Sequence, residues 1–386
     1  MPRASSKTRR ASEPHAQRLR ALKKHIADAG ADAFFVSDPA DVAYLTGFLG
    51  GDSFLLVTPT GKPKLISDHR YAEDLEAHKH LATIVMRDGQ MALTLGRLLA
   101  GLRFDDGRRK PTLLLQGEHL TLRQLDLIKT HALRKFKIPV RVATPVTGVL
   151  SKMRAVKDDS EVRLIRRAVR IQEEALEATL EHARPGVTEL ELAAHLEFEM
   201  KSRGSTEPAF LPIVGAGASS AKPHYTPSGV KIRKGGPLLI DWGATWRGYR
   251  SDMTRTFVVG RSWPRELASI YDAVHEAHLA AVEVLKAGAL CKDADDAARG
   301  VISKAGHGKR FNHGLGHGIG LHVHEAPSLS RHSGEATLRA GHVVTIEPGV
   351  YLPGRAGVRL ENDYLITERG STSLCSLPMD RDWARL

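Results

Sequence analysis

The chain has 386 residues, of which 42% are hydrophobic and 5% aromatic, and its formal net charge is +12 with histidine neutral. This length exceeds what one small core usually serves, so we expect two domains, and the apolar content excludes a disordered chain. The basic residues are not interleaved with aromatic ones, which argues against a single-strand nucleic-acid binder and favours a solvated basic surface. No apolar run reaches transmembrane length, and the two cysteines lie far apart. These features predict reduced thiols in a cytoplasmic protein, with neither nucleic acid nor membrane as a partner.

The first half of the chain alternates predicted helices and strands. Residues 1–15 are rich in Arg, Ser and Lys without an apolar segment, which predicts a disordered basic tail and not a secretory signal. From residue 16 to about residue 150, short apolar strands such as Ala33–Ser37 and Thr112–Leu115 alternate with amphipathic helices. This pattern predicts a small α/β domain. It has no glycine-rich phosphate loop and no obvious site, so we expect it to supply shape and an oligomer contact.

Acidic residues follow apolar strands in the second half, residues 151–386. Asp241 ends one predicted strand and Asp252 begins the next, and an antiparallel hairpin would place them side by side. Two adjacent carboxylates repel one another unless a cation or a proton lies between them. Predicted helix pairs precede both sets of acidic strands, which indicates an internal pseudo-duplication of architecture; the helices are 160–183, 188–203, 264–286 and 293–305.

The run His313–Glu325 holds four histidines separated by glycines. An isolated histidine is most often a surface residue, but four in one run suggest a site, because imidazole is the commonest metal ligand. Further along, Glu347 and Glu361 each lie within a predicted apolar strand, and buried acids are rare unless they are paired or metal-bound. Together with the two aspartates they carry four negative charges, which two divalent ions balance. With oxygen ligands and one imidazole, Mn²⁺, Co²⁺ or Zn²⁺ fit better than a thiolate-preferring metal.

This order of residues resembles the metallopeptidase family that includes aminopeptidase P, prolidase and methionine aminopeptidase. The N-terminal half, with Tyr44-Leu-Thr-Gly-Phe48 and Arg70-Tyr71, is similar to the creatinase-type domain of aminopeptidase P and prolidase, which methionine aminopeptidases lack. The motifs in the second half are Ile240-Asp-Trp-Gly243, Tyr249-Arg-Ser-Asp-Met-Thr-Arg-Thr256, His313-Gly-Leu-Gly-His317, Ile346-Glu-Pro-Gly349 and Arg359-Leu-Glu361.

The resemblance implies an α/β (α+β) architecture in which a creatinase-type domain over residues 16–150 precedes a pita-bread catalytic domain over residues 151–386. It also implies two divalent metal ions per subunit, with Mn²⁺ as the first choice and Co²⁺ or Zn²⁺ as alternatives. By this resemblance Asp241 binds one ion, Asp252 and Glu361 bridge the two, and His317 and Glu347 hold the other.

The same resemblance implies the roles of the remaining site residues. A metal-bridging hydroxide attacks the scissile carbonyl, and Glu347 shuttles the proton. His224 and His324 lie near the scissile carbonyl, where they bind substrate and steady the tetrahedral intermediate. His313 lines the substrate pocket, and Arg359 orients the bridging glutamate through a hydrogen bond.

The first hypothesis for function is an Xaa-Pro aminopeptidase that acts on proline-containing peptides, and the alternative is an Xaa-Pro dipeptidase (prolidase). Phe210 falls where aminopeptidase P members can carry a tyrosine, and neither Arg331 nor Arg339 aligns with the arginine by which some prolidases bind the dipeptide carboxylate. A creatinase-like amidinohydrolase and a non-catalytic binding protein are less favoured, because all five ligands are intact. The resemblance also suggests a homodimer or a tetramer.

Overall fold

The computed structural model describes residues 6–102, 111–138, 141–142, 145–260 and 262–386. Residues 1–5 of the predicted basic tail lie outside this description, and a helix begins at Ser6. The chain divides into two compact units, Met1–Met153 and Arg154–Leu386. Among the helices described, none is both long and apolar enough to cross a membrane.

The first unit is built on a six-stranded mixed sheet with the strand order β4-β3-β2-β1-β5-β6. Its strands are β1 Ala33–Val36, β2 Phe54–Val57, β3 Lys64–Ser67, β4 Thr83–Met86, β5 Thr112–Leu115 and β6 Arg141–Val142. Its helices are α1 Ser6–Asp28, α2 Pro39–Thr46, α3 Ala72–Glu76, α4 Met91–Ala100 and α5 Leu122–Leu127, and α6 Val149–Ala155 spans the boundary between the units. Apolar residues of the sheet and of α4, such as Phe35, Leu56 and Leu95, form its buried core. The predicted α/β domain is therefore confirmed.

The second unit contains two helix pairs, each followed by antiparallel strands. The first half comprises α7 Asp159–Leu180, α8 Glu189–Ser202, β7 Ile213–Ala216, β8 Pro237–Trp242, β9 Thr245–Trp246, β10 Tyr249–Arg250 and β11 Met253–Val258. The second half comprises α9 Arg265–Glu283, α10 Cys291–Lys304, β12 Gly316–Gly318, β13 Glu325–Leu329, β14 Val343–Ile346, β15 Gly349–Leu352, β16 Ala356–Arg359, β17 Asn362–Ile366 and β18 Ser371–Ser373. The repeated order of elements agrees with the predicted duplication of architecture.

Two antiparallel sheets carry the acidic residues. One has the order β11-β8-β7 and the other β13-β12-β14-β17-β18. Asp241 in β8 pairs with Thr254 in β11, so the predicted antiparallel hairpin is confirmed. Glu347 and Glu361 were expected within strands, but they lie between β14 and β15 and between β16 and β17. The chain changes sheets at both places, since β15 and β16 form a separate two-stranded sheet. Each acid therefore lies in a connection between two sheets and not in a strand.

The helices of the second unit cover these sheets with one large apolar core. Trp242 in β8, Phe257 in β11 and Tyr271 in α9 are among its fully buried side chains. The indole nitrogen of Trp242 donates to the carbonyl of Gln172 in α7 at 2.9 Å, which satisfies a polar atom that burial would otherwise leave without a partner. The helices thus hold the strands, and through them the acidic residues, in fixed positions.

Candidate metal centre

His317 lies in β12, where two glycines allow close backbone contact. A Cβ atom on Gly316 would lie 2.0 Å from the carbonyl oxygen of Thr345, and one on Gly318 would lie 2.2 Å from that of Ala326. Because real side chains never come so close to backbone, both positions require glycine. The alternating glycines of the sequence therefore let β12 pack tightly between β13 and β14. This packing fixes the backbone position of His317.

The imidazole of His317 presents an electron pair to two carboxylates. Its Nδ1 donates to the carbonyl of Gly318 at 3.1 Å, so Nε2 carries no proton in the neutral ring. Nε2 lies 3.4 Å from an oxygen of Glu347 and 3.7 Å from an oxygen of Asp252. Burial lowers the pKa of His317 to about 4, so the ring is neutral near pH 7. A cation bound here would accept the imidazole electron pair and offset the negative charge of the two carboxylates.

The four predicted acids are buried together. Burial, followed by their mutual repulsion, raises the pKa values of Asp252 and Glu361 well above the ordinary range. Burial raises the pKa of Glu347 to about 8 and also raises that of Asp241, although Arg359 opposes both effects. Such acids either retain protons or require bound cations.

The donor set fits a divalent metal ion. One ligand atom each from Asp252, His317 and Glu361 lie within 4.8 Å of one another. An oxygen of Asp241 is buried without a hydrogen-bond partner among the described residues, which leaves it available as a ligand. Carboxylate oxygens with a single imidazole suit borderline or hard divalent ions.

Arg359 supports this cluster differently from what the resemblance implied. Its guanidinium donates to a carboxylate oxygen of Asp241 and, at 3.0 Å, to the hydroxyl of Thr254. The hydroxyl of Thr254 in turn donates to Glu361 at 2.6 Å. The predicted hydrogen bond from Arg359 is therefore made to Asp241, and Thr254 is the residue that orients Glu361. The chain leaves β16 at Arg359 and turns before β17, which separates the two side chains.

A second hydrogen-bonded chain leads from Arg359 to His313. A nitrogen of Arg359 donates to the hydroxyl oxygen of Tyr351 at 2.9 Å, and that hydroxyl lies 2.9 Å from Nε2 of His313. Nδ1 of His313 lies 2.8 Å from the carbonyl of Gly314 and carries the proton, so Tyr351 donates to Nε2. Burial lowers the pKa of His313 to about 4, and the ring is a neutral acceptor near pH 7.

All nine site residues named from the sequence line one cavity of about 720 Å³. His324 contacts His317, with ring centroids 4.3 Å apart and planes at 69°, and burial lowers its pKa. The apolar part of its lining consists of Phe210, Leu211, Ile213, Pro223 and Val323. The polar part includes the five predicted ligands together with His224, His313, His324 and Arg359. Neither Arg331 nor Arg339 lines it.

Comparisons with known proteins identify the family. Residues 163–368 match the model of metallopeptidase family M24, and residues 18–156 match the creatinase/prolidase N-terminal domain. The chain belongs to metallopeptidase family M24. It is thus a hydrolase, and its buried acidic cluster agrees with the use of divalent metals in this family.

Several relatives of this M24 chain are named as peptidases. The chain is 33% identical over 360 residues to the Xaa-Pro dipeptidase of Pyrococcus furiosus, covering 93% of this chain and 97% of the relative. A solved Xaa-Pro dipeptidase from Bacillus anthracis superposes with a TM-score of 0.87 at 32% identity, over 96% of this chain and 100% of that one. The X-Pro aminopeptidase from Thermotoga maritima MSB8 gives a TM-score of 0.82 at 33% identity, over 95% and 98%.

Several supporting residues of this M24 site were missed from the sequence. Thr254 and Tyr351 were not singled out, although Thr254 lies two positions after Asp252. In strands, residues two positions apart point to the same side. Residues two positions from each acid could therefore have been predicted to contact the site. Buried Asp363, two residues after Glu361, accepts the backbone N–H of Asp252 at 3.1 Å and follows the same rule.

Other support comes from residues that no local pattern marks. His278 in α9 lies 3.3 Å from the carbonyl of Leu360, the residue before Glu361, and 2.8 Å from the hydroxyl of Tyr364. Burial lowers its pKa to about 3, so the ring is neutral. Glu325, which follows His324, is buried against Lys157 at 3.1 Å and Arg154 at 3.3 Å. These contacts join segments more than 80 residues apart in sequence.

Proposed function

We propose that this M24 chain is a dinuclear metal-dependent Xaa-Pro peptidase, with Xaa-Pro dipeptides as its substrates. The observation that carries the proposal is the convergence of Asp241, Asp252, His317, Glu347 and Glu361 in the lining of a single cavity. The names of the relatives support the dipeptide, so they favour prolidase, the alternative from the sequence, over an aminopeptidase. The apolar residues of the same lining suit a pyrrolidine ring, and the imide bond before proline has no N–H to recognise.

In this proposal the five acidic and imidazole side chains hold two divalent ions, for which Mn²⁺ is the first choice. Bound ions of this kind supply a nucleophile at neutral pH and polarise the scissile carbonyl. In this proposal the Glu347 carboxylate accepts a proton from the nucleophile and passes it to the leaving nitrogen. Asp241 is held in place by Arg359, and Glu361 by Thr254.

The histidines of the cavity have separate tasks in this proposal. His224 and His324 line the same cavity as the acids, and we assign them the binding of the substrate and of the oxyanion that forms from its carbonyl. His313 accepts a hydrogen bond from Tyr351, so it contributes a polar but uncharged surface to the substrate pocket.

A second candidate is the Xaa-Pro aminopeptidase, which one feature of the cavity favours. Among the residues that line it, Arg359 is the one arginine or lysine, and its guanidinium is already bonded to Asp241, Thr254 and Tyr351. A dipeptide needs a partner for its C-terminal carboxylate within the site, whereas a longer peptide carries that charge away from it.

Hydrolysis of Ala-Pro and of Ala-Pro-Ala by metal-stripped protein, with Mn²⁺, Co²⁺ or Zn²⁺ added back, tests both candidates. Metal-dependent cleavage of the dipeptide supports the proposal, and cleavage of the tripeptide alone supports the aminopeptidase. Activity that survives complete metal removal would refute both. The Asp252→Asn variant provides the background rate, and the mass of the native protein in solution tests the predicted homodimer or tetramer.

A further inference from the structure

Arg250 lies between two segments that form the mouth of the cavity. Its backbone N–H donates to the carbonyl of Gly320 at 2.8 Å, and its Nε donates to the carbonyl of Leu321 at 3.3 Å. On the other side, Nη1 donates to the carbonyl of Ala209, and Nη2 lies 3.2 Å from a carboxylate oxygen of Glu207. One guanidinium therefore joins residues that are more than 100 positions apart in sequence.

Both of these segments carry residues that line the cavity. The 205–211 segment continues from Ala209 directly into Phe210 and Leu211, and Leu211 is an exposed apolar residue, with 77% of its surface accessible. The 318–325 segment continues from Leu321 to Val323 and His324, which also line the cavity. The spacing of these two segments therefore contributes to the shape of the cavity.

Other hydrogen bonds and ion pairs hold each of the two segments separately. In the 205–211 segment, Thr206 and Ala209 donate their N–H groups to the carbonyls of Thr245 and Gly243 at 3.1 and 2.8 Å. In the 318–325 segment, Glu325 accepts the N–H of His322 at 3.1 Å and lies 3.1 Å from the ammonium of Lys157. Each of these contacts reaches one segment, whereas the Arg250 side chain bonds to both.

We propose that Arg250 is a specificity-determining residue that fixes the width of the cavity mouth between the 205–211 and 318–325 segments. This inference rests on the proposed function for its substrate, a proline-containing peptide, but not for its structural consequence. Arg250 does not line the cavity, so it acts through the residues that follow Ala209 and Leu321. It positions the walls that bind the substrate and has no part in bond cleavage.

The planar guanidinium is suited to this task because its donors point in several fixed directions. In Arg250→Met the side chain keeps its approximate length but loses every donor. In Arg250→Lys one ammonium group replaces the guanidinium and can bond to only one of the two segments at a time. Substrate binding that is equal in the ground state and the transition state changes KM and not kcat. We therefore expect the methionine variant to raise KM by about tenfold with kcat within about twofold, and the lysine variant to fall between it and the native protein.

The test combines steady-state kinetics with hydrogen–deuterium exchange of the Mn²⁺-loaded protein. Arg247→Met is the matched control, since Arg247 lies in the same β9–β10 turn but is exposed and contacts the ring of Trp246. We expect the control to keep the native KM. In Arg250→Met, peptides that cover both mouth segments should exchange about tenfold faster, whereas those that cover β8 and β11 should not change.

The outcomes separate this inference from the proposed function. Faster exchange of both segments with a raised KM supports the role of Arg250. A native protein that cleaves no Xaa-Pro peptide overturns the proposed function, and the exchange experiment still decides whether Arg250 joins the segments. Unchanged exchange, or a fall in kcat as large as the rise in KM, overturns the inference. If the methionine variant does not fold, an Arg250→Lys variant with native KM and native exchange overturns it equally.

Discussion

The buried acids predict that the metal-free protein becomes less stable as the pH rises above neutrality. Burial raises the pKa of the Glu347 carboxyl from 4.5 to about 8, so the folded state binds a proton that the unfolded state has released. The resulting stabilisation is fully present below pH 4.5 and is lost as the pH rises through about 8. The perturbation is therefore removal of metal with a chelator, followed by a change of pH.

The magnitude follows from the two pKa values of this one group. With values of 4.5 and about 8, the retained proton stabilises the folded state by roughly 2 kcal/mol at pH 6.5 and by roughly 0.4 kcal/mol at pH 8. Asp252 and Glu361 have raised pKa values as well and act in the same direction. The buried histidines act oppositely, because their pKa values are lowered from 6.5, and each adds roughly 0.4 kcal/mol of stability between pH 6.5 and pH 8. The Glu347 carboxyl alone should lower the free energy of unfolding by about 1.5 kcal/mol over this range, and Asp252 and Glu361 add to that fall against the opposite contribution of the histidines.

Urea unfolding followed by tryptophan fluorescence measures this change in the catalytic unit alone. All four tryptophans of the chain lie in the second unit, at Trp242, Trp246, Trp263 and Trp383. The Glu347→Gln variant cannot titrate at this position and should lose about 1.5 kcal/mol of the pH dependence. The Mn²⁺-loaded protein should instead gain stability with pH, since metal ions compete with protons for the carboxylates. A metal-free protein whose stability is constant or rises from pH 6.5 to pH 8 would refute the reasoning.

Three further changes test the metal centre and its support. His317→Gln removes the single imidazole ligand and should weaken Mn²⁺ binding by more than about 100-fold in titration calorimetry, with unchanged circular dichroism; native affinity would exclude it as a ligand. His278→Gln should weaken Mn²⁺ binding by about tenfold, because it frees the backbone behind the bridging glutamate. Its control is Val274→Ala, one turn earlier in the same buried helix, which should cost about 2 kcal/mol of stability and leave affinity unchanged; equal losses of affinity would contradict a positioning role. Glu325→Gln leaves Lys157 buried without its anion and should lower the free energy of unfolding by about 3 kcal/mol, as measured by urea unfolding. A loss below about 1 kcal/mol would show that the lysine finds another partner.

The residues that line the candidate metal centre could be recognised in the sequence because each one breaks a local pattern. Asp241 ends an apolar strand, Glu347 and Glu361 interrupt apolar segments, and His317 lies among glycines that no core requires. Such exceptions are visible in a short window of sequence. The residues behind the ligands break no pattern, since a threonine in a strand or a histidine in an amphipathic helix is ordinary. Contacts such as that of His278 with the carbonyl of Leu360 depend on packing between distant elements.

Arg359 shows where the resemblance to the family reached its limit. The resemblance implied that Arg359 orients Glu361, which lies two positions later in the sequence. The strand ends at Arg359, however, and the chain enters another sheet before Glu361. The guanidinium consequently reaches Asp241 in β8. A strand break is set by the packing of whole sheets, so the partner of Arg359 could not be predicted from its position in the sequence.

Burial of the acidic cluster forms the site and also lowers the stability of the metal-free protein. Four carboxylates with one guanidinium among them are favourable only when cations or protons neutralise them. The fold holds them together through hydrogen bonds from the side chains of Thr254, Arg359 and Thr345, and not through their attraction for one another. Metal affinity and stability of the second unit are therefore two measures of one free energy. A substitution that relaxes the carboxylate cluster should stabilise the metal-free protein and weaken metal binding together, whereas one that only loosens the core should lower stability alone.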